Sequence, residues 1–169
     1  MYYYKGHVTS RTLWIYLIFF CLLSCNKGSF DRWPTFDFEI NGIKAECKVA
    51  CNQQSYSSGL RGVKIDKLYS SHIQAAGLCF VFPSDRIMVF SMEDVPFPLE
   101  LVLVSSSGKV SYITTMAANS KKLYSSPEPA RIALEFPVGF LQDTGIKTSD
   151  HLLSQQDINK LQKVCDFLR

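Results

Sequence analysis

The sequence predicts a mainly β fold: a compact antiparallel β-sandwich or barrel-like domain with short helices and one amphipathic C-terminal helix. Three observations carry this. Asn41-Gly42 separates two alternating segments, a second alternating pair flanks Ser105 to Gly108, and apolar runs end at prolines. Helical periodicity is clear only near the end of the chain, so helices do not alternate with strands as a parallel α/β fold requires.

The elements follow in order. "FDFEI-NG-IKAECKVA" reads as a hairpin, because Asn-Gly suits the positive backbone angles of a two-residue turn. Pairing Ile40 with Ile43 places Phe36, Phe38, Ile40, Ala45 and Cys47 on one face. It sets Glu39 opposite Lys44, a favourable pair, and Asp37 opposite Glu46, an unfavourable one. Residues 52–75 are polar and weakly periodic, which predicts a short helix or turn and then loop. "AGLCFVF", Ala76 to Phe82, reads as a strand buried on both faces and stopped by Pro83, and "IMVF" as another short strand. Leu99 to Val104 and Lys109 to Thr114 form the second hairpin around "SSSG", and Ile132 to Phe136 is the last of five to seven strands. Ser154 and Asp157 resemble a capping box, and Ile158, Leu161, Cys165 and Leu168 make one apolar stripe. A helix over 155–168 that covers the sheet is expected.

The N-terminus is of another kind. The first acidic residue is Asp31, and "TLWIYLIFFCLLS", residues 12–24, is an uncharged apolar run too short for the roughly 20 residues of a spanning helix. It reads as a signal-peptide core. It ends in "LLSC", which resembles the bacterial lipobox, so residues 1–24 are expected to be a lipoprotein signal and Cys25 the lipidated residue. Residues 25–34 read as a tether and 35–169 as one domain. The expectation is a cell-envelope protein, facing the periplasm or the cell surface, anchored to the membrane by acyl chains on Cys25.

The chain carries 18 basic and 15 acidic residues; without Lys5 and Arg11 the balance is 16 against 15, a net +1. So even a charge argues against a nucleic-acid partner, which needs a concentrated basic face. Cys47, Cys51, Cys79 and Cys165 allow three pairings. In an extended strand Cys47 and Cys51 stand about 13 Å apart, beyond disulfide reach. Small buried hydrophobes is the reading preferred for all four, as for Cys79 within "GLCFVF". His7, His72 and His151 lie far from any cysteine pair at ligand spacing, and neither a metal nor a cofactor is expected.

Several stretches together resemble a known family. "SSGL", "AGLCFVF", "FSMEDVPFPLELV", "SSSGKV", "YSSPEPARIALEFPVGF" and "GIKTSDHL" occur in the order and near the distances of the motifs of the Domain of Unknown Function 192 family, over roughly residues 36–152. The resemblance implies a compact β-sandwich, common in prokaryotes and often exported, with no assigned activity. The family's aromatic-Trp-Met-Lys-Asn and Pro-Leu-Asp signature falls on Phe90, Ser91, Met92, Glu93, Asp94 and Pro98-Leu99-Glu100. Its Gly-Leu-Met-x-Arg element falls on Gly59, Leu60, Arg61 and Val63. Ser91, Glu93, Arg61 and Val63 depart from the pattern, and Glu100 lengthens its aspartate. A ligand met through the family's indole or ammonium group is therefore met differently here.

Pro96 and Pro98 make "VPFP" a structural corner before a strand. Beyond it Glu100 shares a face with Val102 and Val104, a lone acid that calls for a cation, and Arg131 is the expected partner. Arg131, Ala133 and Glu135 alternate onto one face of their strand. The expected site is therefore a wall and rim made of Met92, Glu93, Asp94, Glu100, Arg131 and Glu135, which binds a small polar ligand or an envelope protein without catalysis. The alternative is a hydrolase with Glu100 and Glu135 as paired carboxyls.

Overall fold

The computed structural model describes residues 30–68 and 75–168. Within them eight strands form two sheets. Strands β1 (Thr35–Ile40), β2 (Ile43–Ala50), β3 (Ala75–Arg86), β5 (Leu99–Val104), β6 (Val110–Met116) and β8 (Ala130–Pro137) make a six-stranded sheet in the order β1-β2-β3-β8-β5-β6. Strands β4 (Val89–Ser91) and β7 (Leu123–Ser125) pair as a small second sheet. Helix α1 covers Gln53–Ser58, α2 Phe140–Thr144 and α3 Gln155–Leu168. The fold is mainly β, as the sequence predicts, and the large sheet is open rather than closed into a barrel. One pairing departs from the antiparallel expectation: β2 runs parallel to β3. The chain returns to that edge through α1 and a 3-10 turn at Ile65–Leu68, and so enters β3 in the same direction.

The first hairpin has the expected register, with Ile40 opposite Ile43, Glu39 opposite Lys44 and Asp37 opposite Glu46. Asn41 and Gly42 both have positive φ, 50° and 83°, as the two-residue turn demands. The second hairpin joins β5 to β6 through Ser105–Gly108. The sheet separates two apolar layers. One holds Phe36, Cys47, Cys79, Val102, Leu134 and Phe136 under Ile158, Leu161 and Cys165 of α3. The other holds Leu78, Phe80, Leu99, Leu101 and Ala133 under Leu60, Met88, Phe90, Met92 and Phe97. Segment 30–34, assigned by sequence to the tether, packs onto the domain: Phe30 and Trp33 lie against the second layer, and Lys67 bridges Asp31 at 3.1 Å. Residues 1–29, with the signal and lipobox readings and Cys25, lie outside the described residues. No helix among the described residues is long and apolar enough to cross a membrane.

Helix α3 begins at the expected box: Ser154 Oγ accepts the Asp157 N–H at 3.2 Å, and Asp157 Oδ2 accepts the Ser154 N–H at 3.2 Å. Its stripe is buried through Cys165, while Leu168 is partly open to solvent. Cys165 and Cys51 are not the free buried thiols that the sequence suggested; they form a disulfide between α3 and the end of β2, with Cα atoms 5.2 Å apart. The packing of α3 on the sheet brings together residues 114 positions apart. Cys47 and Cys79 are free and buried, and burial pushes both thiols up from their ordinary value.

A cross-link over so long a loop removes much chain entropy from the unfolded state. The double variant Cys51→Ala, Cys165→Ala is expected to lower the unfolding free energy by about 2–5 kcal/mol, read as a lower urea midpoint. Reductant should move the wild type the same way and leave the variant unchanged.

Candidate functional site

Between α1, β4 and the end of β3 the second layer is incomplete and leaves a cleft of about 420 Å³. Its walls come from separate segments that local chemistry holds in place. Asn52 and Ser55 form a reciprocal capping box that starts α1, and Tyr56 of that helix donates from its hydroxyl to the Val81 carbonyl at 2.6 Å. Tyr56 also stacks on Phe82, with centroids 4.6 Å apart, while Phe80 meets Phe90 edge-on at 5.8 Å. The chain leaves α1 through Gly59 at φ 48°, then bends at Gly62, whose N–H donates to the Asp94 carbonyl at 2.9 Å. That bond ties Gly59–Arg61 to the corner Met92–Val95, so both segments face the cleft. Asp94 takes a left-handed conformation at φ 60° to make this corner.

Glu135 lies at the floor. It comes from β8, a strand flanked by β3 and β5, and its side chain points into the cleft layer opposite Leu78 and Leu101. The residue is 6% exposed; among the described residues its carboxyl makes no hydrogen bond or ion pair, and its oxygens open onto the cleft. Burial raises its pKa from 4.5 to about 8. At neutral pH it is therefore mostly a carboxylic acid, able both to donate and to accept a hydrogen bond.

The other expected site residues divide sharply. Met92 is buried and lines the cleft. Glu93 is exposed at the rim and pairs with Arg61 at 3.4 Å. Asp94 contributes its backbone to the corner. Glu100 points to the opposite face of the sheet, beside Phe136, and its carboxylate accepts the Leu141 N–H at 2.7 Å and the Gly139 N–H at 3.3 Å. It caps the start of α2, so the expected Glu100–Arg131 ion pair is absent: free backbone donors at a helix start satisfy an acid without a cation. Arg131 also leaves the face of Ala133 and Glu135. A register irregularity lies between Val81 and Arg86, and Ala130 and Ala133, three residues apart, both pack in the cleft layer. The Arg131 guanidinium instead bonds Gln162 on α3, and its Nε donates to the Phe82 carbonyl at 3.3 Å.

The sequence reading did not include Tyr56, Phe80, Phe82, Phe90, Arg61 and Arg86 in the site. Arg86 stacks over the Phe82 ring, 5.3 Å from its centroid. The available signal was that Gly59, Leu60, Phe90 and Met92 are the places where this sequence keeps the two family motifs; the structure places them on one cleft. Among the described residues no group of His, Cys, Asp or Glu side chains is arranged to hold a metal ion.

The profile of the Domain of Unknown Function 192 family, described as "Uncharacterized ACR", matches residues 37–153. The chain belongs to this family. Two solved structures share the fold. One, from Sinorhizobium meliloti, is described as a candidate transcription regulator; it is 21% identical, with a TM-score of 0.55 over 64% of this chain and 80% of that one. The other, from Novosphingobium aromaticivorans, is a protein of unknown function, 18% identical, with a TM-score of 0.56 over 70% of this chain and 81% of that one. No curated protein matches.

The raised pKa of Glu135 makes stability depend on pH. The folded state holds this proton up to about 8 and the unfolded state releases it near 4.5, so the protonated acid's contribution is complete below the lower value and is lost as pH rises through the upper one. Unfolding free energy should fall by up to about 1.4 kcal/mol per pH unit across that window. Glu135→Gln, measured by urea unfolding through the same range, should flatten the decline.

Proposed function

We propose that this protein is an exported domain, held at the cell-envelope membrane by lipidated Cys25, that binds a small polar ligand in the cleft above Glu135 without converting it. The observation that carries the reading is the buried carboxyl without a protein partner at the floor of an aromatic-walled cleft. The carboxyl oxygens open onto the cleft rather than onto packed side chains, so their bonding capacity faces whatever enters it. Ligand sites combine a concave wall, aromatic side chains, convergent polar groups and a perturbed acid, and the cleft has each of these.

Export and anchoring draw support from two features. The lipobox-like "LLSC" follows an apolar core of signal length. A long-range disulfide suits an oxidising compartment better than a reducing one. Paired-carboxyl hydrolysis finds no matching support, because the chemistry needs two carboxyls across one cleft and Glu100 and Glu135 face opposite layers.

Native mass spectrometry of the full chain extracted from its own envelope should show a small non-covalent adduct on the wild type. The adduct should be lost from a folded Glu135→Gln variant. An apo mass for wild type and variant alike, with no compound perturbing the cleft amides in solution, would overturn the binding reading. Anchoring is tested separately: Cys25→Ser should abolish labelling by radioactive palmitate and move the protein from the membrane to the soluble fraction.

A further inference from the structure

The chemistry of the cleft narrows the class of ligand, an inference that rests on the binding reading above. We propose that the cleft receives a small organic cation, an ammonium compound whose charge meets Glu135 at the floor and whose substituents lie on the aromatic walls.

Four observations point this way. First, Glu135 is the buried acid of the cleft, and among the described residues it has no cationic partner. A ligand cation beside this carboxyl would favour its ionised form and pair with it. Second, Tyr56, Phe80, Phe82 and Phe90 converge on the same cavity, and aromatic faces attract ammonium groups. Third, the wall already holds a cation, for the Arg86 guanidinium lies over Phe82 at the mouth. Fourth, one of the two arginines that line the cleft is engaged in an ion pair. Arg61 is paired with Glu93, and Arg86 is exposed to solvent, which weakens its repulsion of a cation bound deeper in. A volume of about 420 Å³ suits a compound of a few to about a dozen heavy atoms.

Binding is then linked to a proton. The free acid holds its proton below about 8, and an ammonium neighbour favours the carboxylate, so each ligand bound in that range displaces a proton from Glu135. The groups around it do not supply the same linkage. Arg61 and Arg86 are the cationic side chains of the lining, and the Tyr56 hydroxyl donates to the Val81 carbonyl. Glu93, the remaining acid of the rim, is removed in a control.

Choline is the probe of choice because its quaternary nitrogen carries no titrating proton, so any pH dependence belongs to the protein. Calorimetric titration of the full chain with choline, with ethanolamine, and with choline's neutral carbon isostere should give binding by the cations and at least tenfold weaker binding by the isostere. Choline affinity should rise about tenfold per pH unit below about pH 8 and level off above it. The slope should vanish in Glu135→Gln, persist in Glu93→Gln, and affinity should fall several-fold in Phe90→Leu, a variant that keeps an apolar side chain at that place. Amide shifts in Gly59–Arg61 and Phe90–Met92 locate the bound probe, and phosphatidylcholine vesicles in the same titration distinguish a lipid headgroup from the free cation. Equal affinity for the isostere, or a slope retained in Glu135→Gln, overturns the ligand class. Failure of both cations while an anionic or neutral compound shifts those amides overturns the class and leaves the binding reading intact. Failure of every compound to shift them overturns both.

Discussion

Strand β8 has β3 on one side and β5 on the other, so no side chain from its middle can swing round an edge to reach water. Each must enter one of the two layers, and the period of two decides which. Leu134 and Phe136 enter the layer under α3, where Phe136 stacks on Phe140 with centroids 3.6 Å apart. Gly77 stands opposite, and a Cβ there would come within 2.7 Å of the Phe136 ring, so glycine is needed for this close approach. Given Phe136 in that layer, Glu135 must enter the other. Its carboxyl is delivered to the cleft by the same alternation that fills the core.

Two glutamates on neighbouring strands thus meet one problem with different solutions. Glu100 keeps its burial cost low by accepting two N–H groups at the start of α2, donors that a helix leaves open in any case. Glu135 finds no such donors and holds a proton instead. A protonated acid still has a donor and an acceptor to satisfy. The first arrangement is closed, while the second leaves bonding capacity directed at open space, which is the physical difference between a structural acid and a receptive one.

Elements with a local signature were legible in the sequence. Asn41-Gly42, the serine-rich turn before β6 and the box at Ser154 each encode their geometry within a few residues, and each was realised. β7 and α2, of three and five residues, are too short to carry a period. The parallel pairing of β2 with β3 is a property of the chain path rather than of either strand. Arg131 shows the limit most clearly, because strict alternation puts it with Glu135 and a local irregularity of the strand sends it to α3. The cleft was half visible: Met92 and Glu135 could be named, but Tyr56, Phe80 and Phe82 become wall residues only once α1 is seated over β3. The Cys51–Cys165 bridge needed the same long-range knowledge, for it depends on where α3 lies. It also reaches the site, since the Cys51 N–H donates to Ser55 Oγ within the capping box that starts α1.

The family motif departs from its pattern at Arg61, Val63, Ser91 and Glu93, and the structure shows that these positions are not scattered. Ser91 and Arg61 line the cleft, Glu93 pairs with Arg61 across its rim, and Val63 packs in the apolar layer beneath. Relative to the pattern, an arginine and a lysine are replaced by valine and glutamate, and a methionine by arginine. Two positive charges become one positive and one negative that neutralise each other. In this chain the Arg61–Glu93 pair removes one free cation from the rim, while Arg86 stays there as an exposed cation. The departures therefore bear on the charge of the cleft rim, and they leave unaltered Gly59, Leu60, Phe90 and Met92, which line its walls.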